Sequence, residues 1–199
     1  MATSPRSMDR RTARTRQLLR QASIEVMQEK GFTATSVQEI TERANVNRGT
    51  FYAHFSDKYA LLEALIREEF QHRVINTFPP MSQWDRRTLH VLIQTVLEDF
   101  KSVYRQCHPL GIIDPLIVQV VQQELAGLLL TWLQQMRGKD ARGVVPMETM
   151  AITMSWAIVG AAIQWSQEPT TMTSEQMAHD VLLVLMEGMT HLTFDAPPK

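Results

Sequence analysis

A chain of 199 residues, 44% apolar and 21% charged, is long enough for one domain or two small ones and too apolar for general disorder. Its 8 Gly and 9 Pro exclude a collagen-like or low-complexity architecture, and its one cysteine, Cys107, excludes an internal disulfide and a cysteine-based zinc cluster. The net charge of −1 hides a division: residues 1–60 hold ten Lys or Arg and six Asp or Glu, so they carry +4 and the remainder −5. Such asymmetry is expected where only one part of a protein touches a polyanion. The lone cysteine leads to the expectation of a reducing cytoplasm, and Met1 to Gln21, with six arginines and no apolar run of seven or more, does not read as a signal peptide.

The pattern is helical throughout, with no convincing period-two strand and no hairpin signal. Residues 1–9 read as a disordered arm. A helix follows over 10–30 with Leu18, Leu19, Ala22, Ile24, Val26 and Met27 on a broad apolar face, and Gly31 ends it. A short second helix opens near Thr35, where Thr35 with Gln38 and Ser36 with Glu39 both have capping-box spacing. Asn45 stands where a tight turn needs a left-handed residue, and Asn47 caps a third helix over 48–54. Ser56 and Asp57 cap a fourth, which runs to Phe78-Pro79-Pro80.

Ser82 with Asp85 starts the next helix, through Leu89, Leu92, Val96, Phe100 and Tyr104. Asp114-Pro115 starts another, which ends at Met136. Pro146 opens a helix whose nineteen residues from Thr149 to Gln167 bear no charge. Their Thr, Ser and Gln content and the lack of a flanking basic cluster favour a buried helix over a membrane span. Thr173 with Gln176 caps the last helix. The expected fold is all-α, with about nine helices: a three-helix helix-turn-helix domain over 10–72 and a helical bundle over 73–195.

Two helices joined by a tight turn, the second short and polar on its outer face, describe a helix-turn-helix. Inward positions are Val37, Ile40, Ala44, Val46 and Phe51; outward ones on the second helix are Arg48, Gly49, Thr50, Tyr52 and His54. Arg48 can fork onto guanine or bind phosphate, and Thr50 can touch a thymine methyl. Tyr52, His54 and Lys58 suit backbone phosphates. Gly49 costs about 1 kcal/mol inside a helix relative to Ala, which suggests close approach of something to its backbone.

These residues carry a resemblance. The run from Glu29 to Leu62, with GFTATSVQEI and NRGTFYAHFSDK at its heart, resembles the DNA-binding domain of the TetR family of transcriptional regulators. The resemblance implies a homodimer on a palindromic duplex, a helical ligand-binding C-terminal domain, and DNA contacts at Thr35 or Ser36, then Asn47, Arg48, Gly49, Thr50, Tyr52, His54 and Lys58. Asn45 stands where the family often has Gly, and Asn47 where it often has Ser or Thr. The implied function is a repressor released from its operator by a small, largely apolar ligand. The alternatives are an activator, or a protein of the same fold that docks a partner protein.

All four Trp and most Met follow position 80, which suits either an ordinary core or an adaptable apolar pocket. Trp84, Phe100, Tyr104, Trp132 and Trp156 are the candidate pocket residues. Ala157, Gly160, Ala161 and Gln164 on the uncharged helix, with Leu182, Leu185, Met186 and Met189 on the last, are the candidate dimer interface. The six His show no metal-ligand spacing, and no nucleophile-elbow, P-loop or dinucleotide fingerprint occurs, so no metal, cofactor or catalytic residue is expected.

Overall fold

Side-chain caps begin five helices in the computed structural model, which describes residues 5–78, 85–107, 115–136, 145–167 and 171–194. Eight helices and no strand occur among these residues: α1 (Pro5–Ala34), α2 (Val37–Arg43), α3 (Arg48–Tyr52), α4 (Lys58–Thr77), α5 (Arg86–Cys107), α6 (Pro115–Met136), α7 (Met147–Gln167) and α8 (Ser174–Phe194). The all-α expectation is met with eight helices rather than nine. The second half has four, each 21 or 22 residues long, at the four helix starts that its sequence offers.

The chain forms two units, Met1–Ile66 and Arg67–Lys199. In the first, α1 begins at Pro5, so residues 5–9 are helical rather than an arm. Proline suits a first helical turn because its missing N–H has no partner there anyway. Residues 1–4 lie outside the described residues. The α1 helix breaks at Gly31, whose φ of 80° and ψ of 161° few side chains tolerate. Leu19, Ala22, Ile40, Ala44, Phe51, Phe55, Leu61 and Leu65 form the core of this unit, with Val37 and Val46 partly buried against it.

In the second unit, α7 packs against both α5 and α6, and α8 packs on α5. Leu89, Leu92, Ile93, Leu97, Leu125, Leu129, Trp132 and Ile158 are at most 1% exposed at its centre. Asp85 caps α5 by accepting the Thr88 N–H at 2.8 Å. Thr173 and Gln176 cap α8 reciprocally, as their spacing predicts. Inside the core, the Gln122 amide donates to the Ser155 hydroxyl at 2.9 Å, and that hydroxyl donates to the Ile152 carbonyl. Among the described residues α6, not α7 with its uncharged stretch from Thr149 to Gln167, is long and apolar enough by composition to cross a membrane. Its Val120, Leu125, Leu129, Trp132 and Leu133 are instead buried in the bundle.

Candidate nucleic-acid interface

The turn between α2 and α3 is built from local bonds. Ser36 accepts the Glu39 N–H while the Glu39 carboxylate accepts the Ser36 N–H at 3.0 Å, a complete capping box. Asn45 takes φ 53°, the left-handed conformation expected of it. The Ala44 and Val46 amides then close on the Ile40 and Thr41 carbonyls. Asn47 caps α3: its side-chain oxygen accepts from the Thr50 amide at 2.7 Å and the Thr50 hydroxyl at 3.0 Å. With its first turn so fixed, α3 buries Phe51 completely and turns Arg48, Gly49 and Tyr52 outward, Tyr52 being 50% exposed. Thr50 and His54 are half-buried beside them, and Ser36 and Asn47 are exposed.

The Glu39 carboxyl is also paired with Lys30. That bond first, and those from Ser36 second, pull it from its ordinary 4.5 down to about 2. A folded value below the unfolded one means that the stabilisation is complete above about 4.5 and is lost as the pH falls toward 2. Glu39→Gln should therefore flatten the acid limb of the thermal stability curve in that window. Melts followed by circular dichroism check this, and an acid limb unchanged from the parent would remove the box from the acid response. Asn47→Ala should cost about 1 kcal/mol, the usual loss for a polar N-cap, read as a lower midpoint in urea.

Two expected DNA contacts need correction. Thr35 is 2% exposed, and its hydroxyl donates to the Gly31 carbonyl at 2.8 Å, so it closes the end of α1 rather than facing outward. Lys58 spends its ammonium on the carbonyls of Phe32, Thr33 and Thr35 at 3.2, 3.1 and 2.8 Å. It also sits over the rings of Phe32 and Tyr59. A cation that satisfies the carbonyls at a helix end fixes the loop between α1 and α2 against the start of α4. Gly49 has an internal reason as well: a Cβ there would lie 3.2 Å from the Asn47 cap oxygen. Two clamps on this frame carry no recognisable sequence motif: Arg43 with Glu29 at 2.8 Å, and Arg16 over the Phe55 ring. The 14-residue separation of Arg43 and Glu29 gives no local signal.

The pocket candidates divide. Phe100 and Trp132 are 3% and 1% exposed in the core, with Tyr104 partly buried against it. The Trp132 indole N–H has no hydrogen-bond partner among the described residues. Trp156 is 49% exposed on α7 and lines no interior, a correction whose cause is that α7 buries its opposite face. Trp84 lies outside the described residues. The interface candidates divide too. Ala157, Gly160 and Gln164 are exposed and Ala161 half-exposed, beside Ile152 and Trp156. Leu182 and Leu185 instead belong to their own unit's core, with Met186 packed against it, because the apolar face of α8 covers α5. The side chain of Met189 is outside the described set.

Two capped helices at turn spacing, the second with Arg48, Gly49 and Tyr52 exposed on its outer side, form a helix-turn-helix. Residues 19–65 match the family model for bacterial regulatory proteins of the tetR family, so this segment is similar to a TetR-type DNA-binding domain. It is 26% identical over 191 residues to the HTH-type transcriptional regulator AcrR of Shigella flexneri, covering 87% of this chain and 88% of AcrR. It is 34% identical over 79 residues to the uncharacterized HTH-type regulator YxbF of Bacillus subtilis, covering 37% of this chain and only 21% of YxbF. Its fold is similar to that of RolR in complex with resorcinol, with a TM-score of 0.61 at 17% identity over 96% of this chain and 98% of RolR. It is also similar to Thermus thermophilus FadR in complex with lauroyl-CoA, with a TM-score of 0.57 at 23% identity over 92% of this chain and 98% of FadR.

Proposed function

We propose that the protein is a homodimeric, cytoplasmic repressor that releases a palindromic operator when a small, largely apolar ligand enters the second unit. The observation that carries the DNA-binding half is the outward face of α3. Arg48, Gly49 and Tyr52 are exposed there while Phe51 anchors the helix from behind. Ser36, Asn47, Thr50 and His54 complete the contact set, with Arg48 on a base edge and the others on phosphates or the thymine methyl. Residues 10–72 form the DNA-binding domain in this reading, and residues 73–195 the ligand-binding and dimerisation domain.

The dimer reading rests on α7. Its exposed face carries Ile152, Thr153, Trp156, Ala157, Gly160 and Gln164 without a charge, and exposed uncharged faces of this kind favour association. Two copies would present two α3 helices to successive major grooves about 34 Å apart. The ligand reading draws support from FadR and RolR, whose structures hold lauroyl-CoA and resorcinol.

Genomic duplexes captured by the protein, followed by anisotropy across a salt series, test the reading. Affinity should fall steeply between 50 and 200 mM salt, roughly 10³-fold for six neutralised phosphates. Salt-independent retention of DNA, or retention of none, would contradict it.

A further inference from the structure

We propose that the cleft between α4 and α6 receives an organic cation with an apolar body, and that Glu124 is its anchor. This rests on the ligand-responsive reading above and names the ligand's chemical class. The cleft holds about 360 Å³, within the range of small-molecule sites. Among the described residues its walls are Phe70, Gln71 and Val74 from α4, and Gln123, Glu124, Gly127, Leu128 and Thr131 from α6. A Cβ at Gly127 would meet nothing within 4 Å, so that wall is open where any larger residue would project.

The charges select the occupant. Glu124 is the charged residue among these walls, and none of them is Lys, Arg or His. An anion would therefore face a carboxylate whose cationic neighbour, Arg67, is already paired with it. Both Glu124 oxygens are held by α4: Arg67 pairs with one, and the Gln71 amide donates to the other at 3.0 Å. The Glu124 side chain is 15% exposed and that of Arg67 is 37% exposed. Of the two, Arg67 is the partner that can leave for water. A sheltered carboxylate stripped of its counterion is strongly disfavoured, so whatever displaces Arg67 must bring a positive charge. A neutral molecule could fill the cleft but would not exchange with Arg67. The Phe70 ring and the aliphatic walls of Val74 and Leu128 suit the ligand's apolar body, and an aromatic face adds attraction for the cation.

The exchange has a consequence for α4. The bond from Arg67 to Glu124 ties α4 to α6, and a cation on Glu124 replaces it with a bond from ligand to α6. Such a ligand binds the untied state better than the tied one, which is the condition for a population shift.

Calorimetric titration of the full chain with three naphthalenes of one shape tests the site: 2-naphthylmethylammonium, 2-naphthylmethanol and 2-naphthoate. The ammonium should bind roughly tenfold or more tighter than the alcohol, as a charged hydrogen bond implies, and the naphthoate weakest. In Glu124→Gln the ammonium and the alcohol should bind alike. Gly127→Leu, whose Cβ meets nothing within 4 Å and whose remaining carbons would project into the cleft, should keep its helicity and lose both. Equal affinities in the parent chain, a preference that survives Glu124→Gln, or binding that survives Gly127→Leu would overturn the proposal. Operator affinity, measured in parallel, separates the two readings. Glu124-dependent binding that leaves operator affinity unchanged upholds the cation site and contradicts ligand release. Operator release by the alcohol and the ammonium alike overturns the cation site and leaves ligand release standing.

Discussion

Arg48→Ala should lower operator affinity by on the order of 30-fold or more while helicity and assembly stay as they are. Each lost base contact costs about 1–3 kcal/mol, and a two-fold complex loses it twice. At the lower end that is about 2 kcal/mol, hence the factor of 30. The fold should not notice, because Arg48 is exposed and the core beneath it is filled by Phe51. Competition gel shifts with parent and variant, with sedimentation as a control, read the result. An unfolded Arg48→Ala variant would place the side chain in the fold instead of on the DNA. Unchanged affinity would remove it from the interface.

Gly160→Leu should turn dimers into monomers and take operator binding with them. Gly160 lies on the exposed side of α7, and a Cβ built on it meets nothing within 4 Å in its own chain. A leucine there has room in one subunit and none where two α7 helices approach. Overpacking costs about 1–3 kcal/mol, and a two-fold contact incurs it twice. Loss of the second half-site then removes the avidity of the pair, on the order of 10²–10⁴ in affinity. Sedimentation of a variant with parental circular dichroism decides it. A dimer of parental affinity would move the interface off this face of α7.

The DNA-binding region was legible where its geometry is local. The Ser36 cap, the left-handed Asn45 and the Asn47 cap each involve residues at most five positions apart, so spacing alone finds them. Thr35 and Lys58 were not legible for the opposite reason. Lys58 reaches carbonyls 23 to 26 residues away, and a lysine on a predicted outer face looks the same whether it meets phosphate or the end of a helix. The second unit shows the limit of periodicity. A helix without charges, such as α7 from Thr149 to Gln167, has no pattern to say which side is core and which is open. Trp156 fell on the open side and Trp165 on the core side. On α8 the apolar stripe of Leu182 and Leu185 was real, but a stripe does not reveal whether it covers α5 of its own chain or a second copy. The α4–α6 cleft draws its walls from residues about fifty apart, which no local pattern joins.

In the proposed complex two copies of α3 read a symmetric duplex. Selection from a random duplex pool by the parent chain and by Arg48→Ala, with sequencing of the retained DNA, tests it most directly. The expected result is an inverted repeat with half-sites about one or two helical turns apart, and loss of preference at one symmetric pair of positions in the variant. Enrichment of no inverted repeat, or the same repeat with the same preferences in both, would contradict it.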